Sequence, residues 1–283
     1  MNNIILLAET GSDIPRETAG KYGIYLVPMH VTFSDHTRDD GTFPAEEICE
    51  FYDRTGILPK TSGSVPEDFE KIFDEIHAAH PDSQILYLAY SSVTTCSYQS
   101  AQIAAQNRDY ITSVDTRQVS AGQYAVVITM AKLLKEHPEW TIQDARAKAE
   151  ELSANIHMCF IPDKLEYLRA GGRVSNAVAI CGTLLKIHPR IEILDGYLRA
   201  TQKSRGTMKK IVPHLVQEYL DDPAVLKDEI WMICAPGLDK EIQKSAELTA
   251  LSCGVKKVTW VKTGGVITTH GGPGAFGIVK RTR

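Results

Sequence analysis

The sequence lacks the features that mark membrane, secreted and nucleic-acid-binding proteins. Its N-terminal apolar run covers only residues 4–8, which suits a buried strand and is too short for a signal peptide or a membrane span. Basic residues form no run beyond Lys209-Lys210 and the tail at 280–283, and the net charge is -4. We therefore expect a cytoplasmic protein with no stable membrane anchor and no nucleic-acid partner.

The motifs of common nucleotide, hydrolase and metal sites are also missing. The sequence holds no G-x-x-x-x-G-K-[ST] phosphate loop and no G-x-S-x-G nucleophile elbow. Residues 272–277 match G-x-G-x-x-G, but only six residues follow them, so we interpret the match as a glycine-rich turn between two strands. None of the six cysteines forms a C-x-x-C pair. We expect reduced thiols, no metal and no cofactor.

The first half of the chain alternates apolar strings with helical segments. Residues 4–8, 24–33, 85–90 and 111–114 are predicted strands, and amphipathic or Ala-rich helical segments separate them. This alternation predicts a parallel, helix-covered sheet. With 283 residues the chain is long enough for two domains. We assign an α/β, Rossmann-like N-terminal domain to residues 1–157.

The second half carries a different pattern. Asp195-Gly196 lies between two apolar strings and is the strongest hairpin signal in the chain. Strands are predicted at 230–235 and 258–261, and residues 266–280 are predicted to form a strand, a Gly/Pro turn and a final strand. We expect residues 158–283 to form an α+β C-terminal domain with a mixed or antiparallel sheet.

The stretch from residue 85 to residue 101 is the one around which the fold is organised. A predicted buried strand is followed by five hydroxyl side chains and then by an Ala/Gln-rich helix. The hydroxyl residues are Ser91, Ser92, Thr94, Thr95 and Ser97. One interpretation is a helix cap. The other is an anion site, since ligands lie where strand ends meet helix starts and the helix N-terminus offers free N–H groups.

Two further side chains each fit a structural and a functional interpretation. Arg173 follows two glycines; it either complements the C-terminal dipole of a short helix or directs a guanidinium group toward a carboxylate or phosphate. His270 is placed at the end of a predicted strand, before a glycine-rich turn, where it is either a structural histidine or faces a ligand.

Several separated segments together resemble one family over nearly the whole length: the DegV family, the fatty-acid-binding B-type subunits of bacterial fatty acid kinase. The segments are 9–15 (ETGSDIP), 60–62 (KTS), 91–92 (SS) with 98–101 (YQSA), 165–175 (LEYLRAGGRVS) and 269–275 (THGGPGA). The resemblance implies a two-domain carrier that holds an acyl chain between or within its domains.

The resemblance also implies a site. Thr61 and Thr95 take the positions whose hydroxyls bind the fatty-acid carboxylate, and Thr95 stands where the family has serine. The supporting positions it implies are Ser62, Cys96, Arg173, Arg205 and His270. Cys96 replaces a family glycine, and Gly63-Ser64 replace Gln-Pro, and both changes bear on the head-group geometry. Small residues at Ala177, Ala179 and Gly182 either line a tunnel or pack a helix against a sheet.

The function expected from the resemblance is a carrier of a long-chain fatty acid. It presents the clamped carboxylate to an ATP-binding fatty acid kinase subunit, which forms an acyl phosphate for phospholipid synthesis. The alternative is a stand-alone enzyme that acts on a small anionic metabolite through Thr95, Cys96 and His270, which predicts a polar pocket open to water. A structural or regulatory protein without a ligand would instead have a sealed interior.

Overall fold

The computed structural model describes residues 3–174 and 187–283, which form three β-sheets and the helices around them. The strands are β1 (Ile4–Glu9), β2 (Ile24–Val27), β3 (His30–Phe33), β4 (His36–Asp39), β5 (Lys60–Ser62), β6 (Gln84–Ala89), β7 (Ile111–Asp115), β8 (Ile156–Ile161), β9 (Ile187–Leu194), β10 (Tyr197–Arg205), β11 (Ile230–Cys234), β12 (Val258–Lys262) and β13 (Phe276–Arg281). The helices are α1 (Arg16–Tyr22), α2 (Glu46–Thr55), α3 (Pro66–Ala79), α4 (Ser97–Ala104), α5 (Ser120–Glu136), α6 (Ile142–Asn155), α7 (Leu165–Gly171), α8 (Met208–Leu220), α9 (Lys240–Ser252) and α10 (Gly265–Gly271). The predicted α/β class, with a second and mixed sheet, is confirmed.

Strands β2, β1, β6 and β7 lie in that order in an all-parallel sheet. Alternate residues of β1 and β6 face opposite sides of it. Leu7 and Tyr87 belong to the apolar cluster formed with α3 and α4, whereas Leu6 and Leu88 belong to the cluster formed with α5. Because both faces are buried, these strands are nearly continuous apolar runs in the sequence. The predicted parallel, helix-covered sheet is therefore confirmed.

The second sheet has the order β10-β9-β8-β13-β11-β12, and its pairs are antiparallel except for β11 with β12. The β9–β10 hairpin turns at Asp195-Gly196, whose φ values of 51° and 82° confirm the predicted turn. Strand β8 was not predicted. Helix α6 ends at Asn155, and the β-branched and aromatic residues that follow pair with β13 and β9.

A third, antiparallel sheet has the order β4-β3-β5. The single strand predicted over 24–33 is divided at Pro28 between β2 of the parallel sheet and β3 of this one. Proline has no N–H to continue a ladder, so the chain changes sheet there. The short segment Lys60–Ser62 is the edge strand β5.

The predicted strand around residues 266–270 is wrong, because this segment lies in the helix α10. Carboxylates from two distant loops accept hydrogen bonds from the start of the helix. Asp13 Oδ1 accepts from the Gly264 N–H at 2.7 Å, and Asp40 Oδ1 accepts from the Gly265 N–H at 2.8 Å. The sequence Val-Ile-Thr-Thr has an intrinsic preference for strands, and these tertiary caps override it. The glycine-rich turn that follows therefore joins a helix to β13.

Helix α5 lies between the parallel sheet and the six-stranded sheet. It packs on β1 and β6 of the first and on β8, β11 and β13 of the second, and most of its side chains are buried. A single apolar cluster consequently includes residues of both sheets, such as Leu86 and Trp231. The two sheets meet in sequence near residue 156, while the division into domains 1–157 and 158–283 stays a prediction.

Two further points concern the candidate tunnel residues and membrane-spanning helices. Ala177, Ala179 and Gly182, named as candidate tunnel residues, lie outside the described residues. Across residues 3–174 and 187–283, no helix combines the length and the apolar character needed to cross a bilayer.

Candidate functional site

A cavity of about 830 Å³, partly open to solvent, is enclosed by residues of both halves of the chain. This volume includes the open solvent at the mouth of the cavity. Apolar side chains form much of its wall, and they come from the segment before β3 and from strands of the six-stranded sheet, β8 among them. They include Met29, Met158, Phe160, Leu198, Ile233 and Phe276. The interior is therefore not sealed, which argues against a protein without a ligand.

Five of the predicted site residues line this one cavity, and apart from the neighbours Thr61 and Ser62 they are far apart in sequence. Thr61 lies on β5, Thr95 lies in the loop before α4, Arg173 follows α7, and His270 is in the last turn of α10. Thr61 and His270 are hydrogen-bonded, and the charge of Arg173 acts on His270. We call Thr61, Thr95, Arg173 and His270 the clamp cluster.

The histidine of the clamp cluster is hydrogen-bonded to the first threonine. His270 Nε2 lies 2.7 Å from Thr61 Oγ1. Burial and the nearby positive charge of Arg173 lower the pKa of His270 to about 4. The imidazole is therefore neutral at pH 7. Its Nδ1 is shielded from solvent and has no hydrogen-bond partner among the described residues.

Arg173 lies beside this histidine through the double glycine that precedes it. Its Nη1 donates to the Gly171 carbonyl oxygen at 2.7 Å. A methyl group added at Gly171 would lie 2.4 Å from His270 Nδ1, so only a glycine allows this approach of α7 to the ring. Arg173 itself is exposed, at the open side of the cavity.

Thr95 fits both interpretations of the hydroxyl loop, the helix cap and the ligand site. Thr95 Oγ1 accepts from the Ser97 N–H at 3.3 Å at the start of α4, and it also lines the cavity. A Cβ at Gly63 would lie 2.4 Å from Thr95 Oγ1 and 3.2 Å from Cys96 Sγ. Glycine at position 63 therefore leaves the space that Thr95 occupies.

The other hydroxyls of the loop have mainly structural bonds. Ser91 Oγ donates to the Gly196 carbonyl at 2.8 Å, Ser92 Oγ donates to Asp115 Oδ2 at 2.5 Å, and Thr94 Oγ1 donates to the Ser91 carbonyl at 2.9 Å. Of these three, only Thr94 also lines the cavity. The excess of hydroxyls in the sequence thus reflects loop packing as well as a site.

The supporting residues divide into two groups. Ser62 lines the cavity next to Thr61. Cys96 and Arg205 do not line it: Cys96 is exposed at the start of α4, and Arg205 is exposed at the end of β10. The structure does not bring Arg205 to the clamp cluster.

The sequence reasoning missed two carboxylates near the site. Asp13 and Asp40 are buried, and burial raises the pKa of both. Asp13 also accepts from Ser120 Oγ at the start of α5, and Ser120 lines the cavity. Asp13 and Ser120 both have positive φ, at 58° and 47°, which is uncommon for residues other than glycine. A polar segment directly after the buried β1 was the available signal.

The family model described as "Uncharacterised protein, DegV family" matches residues 3–282. The chain belongs to the DegV family. A fatty acid-binding protein of Thermotoga maritima is 30% identical over 280 residues, which are 96% of this chain and 95% of that protein.

Solved DegV structures have the same fold. A structure described as fatty acid binding of a DegV family protein from Thermus thermophilus is 27% identical, with a TM-score of 0.87, and covers 99% of this chain and 100% of that one. A DegV lipid-binding protein of Thermotoga maritima is 27% identical, with a TM-score of 0.81, and covers 99% and 98%. DegV proteins that resemble this chain thus bind fatty acids.

Proposed function

We propose that this protein binds one long-chain fatty acid, with the tail in the cavity between the two sheets and the carboxylate held by Thr61 and Thr95 where the two halves meet. The observation that carries the proposal is a single cavity with a largely apolar wall that also contains the clamp cluster. The fatty-acid binding of DegV relatives supports it. The acyl chain is the only small molecule that the proposal requires, so no cofactor is invoked.

Burial of the tail would supply most of the affinity. Each methylene removed from water contributes roughly 0.8 kcal/mol, so about fifteen methylenes contribute on the order of 10 kcal/mol before the costs of binding. The hydroxyl clamp adds less free energy but fixes which end of the ligand is presented.

The histidine would set the direction of the Thr61 hydroxyl. A buried N–H without a partner is costly, and Nδ1 has no partner among the described residues. We infer that the proton is on Nε2, so that Nε2–H donates to Thr61 Oγ1. The Thr61 O–H is then free to donate to a carboxylate oxygen. A neutral histidine and two hydroxyls suit an anion whose charge must remain available for chemistry.

We further propose that a cytoplasmic ATP-binding kinase subunit phosphorylates the bound carboxylate. A carboxylate oxygen would attack the γ-phosphorus of ATP, and ADP would leave as the acyl phosphate forms, as a precursor for phospholipid synthesis. Arg173, exposed at the open side of the cavity, would face the transferred phosphoryl group. The lack of a P-loop motif in the sequence supports a separate source of ATP binding.

Native mass spectrometry of the delipidated protein tests the first proposal. We expect one palmitic or oleic acid to add per chain, and the Thr61→Val/Thr95→Val double variant to take up much less. Failure of the wild-type chain to take up any fatty acid would refute the carrier function.

The kinase proposal is tested by adding ATP and a purified ATP-binding fatty acid kinase chain. Acyl hydroxamate should then form in the presence of hydroxylamine only when both chains are present.

The stand-alone enzyme is less well supported by the site. It requires a polar pocket in which His270 serves Thr95 or Cys96. The observed wall is largely apolar, the imidazole is bonded to Thr61, and Cys96 does not line the cavity. No observation favours that alternative over the carrier.

A further inference from the structure

Helix α10 is attached to the three-stranded sheet at both of its ends. Its first turn donates hydrogen bonds to Asp40, the residue that follows the edge strand β4. Its last turn carries His270, which is bonded to Thr61 on the opposite edge strand β5. Between these ends it packs against β3 and β5.

The dimensions of the helix and the sheet agree. Seven helical residues rise about 10 Å. The two spacings from β4 across β3 to β5 also measure about 10 Å. The helix therefore spans the sheet from edge to edge. Fixing its N-terminal end leaves the imidazole little freedom to move away from Thr61.

The N-terminal attachment is close and has several bonds. Asp40 is 1% exposed, and its Oδ1 accepts from the N–H groups of Gly265 at 2.8 Å and Val266 at 3.3 Å. Asp13 adds the bond to Gly264, one residue earlier. A Cβ at Gly265 would lie 3.1 Å from Asp40 Oδ1 and 2.6 Å from the Phe43 ring, so the glycine permits this approach.

We propose that Asp40, assisted by Asp13, is a positioning residue for the fatty-acid clamp: it holds α10 at the height at which His270 meets Thr61. This inference rests on the proposed function for its consequence on binding, but the tie itself concerns only side chains of this chain. Asp40 acts through α10 and does not line the cavity.

Variants at residue 40 separate the hydrogen bond from the charge. Asp40→Ala removes the acceptor, and we expect the His270 ring to lose its single Nε2-protonated form and palmitate affinity to fall about tenfold. Asp40→Asn keeps an acceptor oxygen and should restore both. The matched control is Asp239→Ala, because Asp239 Oδ1 accepts from the Glu241 N–H at 2.8 Å at the start of α9, away from the cavity lining. It should leave both readouts as in the wild type.

The readout is the ¹⁵N spectrum of the histidine rings in the full-length chain, with the His270 signals assigned by their loss in His270→Gln. The proposal is overturned if Asp40→Ala leaves the His270 signals unchanged, or if Asp239→Ala alters them equally. If Asp40→Ala does not fold, Gly265→Ala is measured, since its methyl group displaces the first turn and keeps both carboxylates. The ring signals are recorded without fatty acid, so they test the tie even in a chain that binds no lipid.

Discussion

Two clusters of polar side chains in this molecule differ in whether their charged groups have partners. In the cation cluster, which we define as Arg190, Glu192, Glu218, Asp222 and Lys280 around Tyr219, both cations have carboxylate partners. Arg190 pairs with Glu192 and Glu218 at 2.9 Å, and Lys280 pairs with Asp222 at 3.1 Å. In the clamp cluster, Arg173 has no carboxylate partner among the described residues, and His270 Nδ1 has no partner there either.

The difference indicates which polar groups are structural and which await a ligand. Arg190 and Lys280 lie over the Tyr219 ring at 5.2 and 4.5 Å, so that cluster is also packed within the protein. A buried polar group without a partner is costly, and the unpartnered His270 Nδ1 belongs to a residue that lines the cavity. Both cations of the cation cluster have carboxylate partners, although Arg190 Nε has no partner among the described residues. Arg173 of the clamp cluster has no carboxylate partner there, and it lines a cavity with a largely apolar wall. The predictions below test this contrast.

The largest effect is expected from opening the cation cluster. Arg190→Met removes the common partner of Glu192 and Glu218, which are 22% and 47% exposed, so the expected loss of unfolding free energy is about 3 kcal/mol, the low end for a buried pair. Urea denaturation measures this loss. Arg146→Met, at an exposed pair with Glu150, should cost less than about 1 kcal/mol. Palmitate affinity should be unchanged in both, and a loss of binding in Arg190→Met would contradict the separation of the two clusters.

The clamp cluster should show its own pH dependence. A histidine whose pKa falls from about 6.5 unfolded to about 4 folded contributes stability above pH 6.5, and this is lost as the pH falls from 6.5 to 4. The expected loss is about 3 kcal/mol. It is read as the difference in unfolding free energy between the wild type and His270→Gln across that window. Buried carboxylates such as Asp13 titrate in both proteins and cancel, so identical profiles would show that His270 is not buried neutral.

Removal of one clamp hydroxyl should weaken binding, and it should also lower stability somewhat because His270 Nε2 loses its partner. Thr61→Val keeps the shape of the side chain and removes a hydrogen bond to a charged group, worth about 1.5–3 kcal/mol, or roughly 10- to 150-fold in affinity. Calorimetry with palmitate measures it. Thr37→Val is the control, because Thr37 Oγ1 is bonded to Thr32 Oγ1 at 2.9 Å on the exposed hairpin. Equal effects of the two substitutions would contradict the assignment of Thr61.

The smallest effect concerns the contact between the hairpin turn and the hydroxyl loop. Gly196→Ala places an L residue at φ 82° and a methyl group 2.6 Å from Ser91 Oγ. Gly56→Ala has a similar φ of 68° but no neighbour within 4 Å. We expect Gly196→Ala to cost about 1 kcal/mol more in unfolding free energy than Gly56→Ala, since both carry the same backbone penalty of about 1–2 kcal/mol. Equal costs would mean that the loop tolerates the methyl group.

Much of the fold could be predicted because local pattern and tertiary context agree. The buried runs at β1 and β6 and the Asp-Gly turn at 195–196 each specify their own structure. The errors occurred where distant residues decide. Val266 to Thr269 look like a strand until Asp13 and Asp40 cap a helix there, and β8 depends on pairing with β13, more than a hundred residues away.

The candidate site could likewise be predicted only in part from the sequence. Hydroxyl residues at a strand end and an arginine after two glycines were visible as candidates, and the family resemblance named Thr61, Thr95, Arg173 and His270. The bond between Thr61 and His270 joins residues 209 apart, so no local pattern could reveal it. The contact of Gly63 with Thr95 was equally hidden, because it depends on the space beside a residue that has no side chain.

The position of α5 limits how this molecule could be divided. The helix is packed on both sides, by strands that precede it in the chain and by strands that follow it. A polypeptide cut after residue 157 would therefore expose to water the apolar face of α5 that packs on the six-stranded sheet. We expect neither fragment to fold alone. When the two fragments are mixed, we expect them to associate through α5.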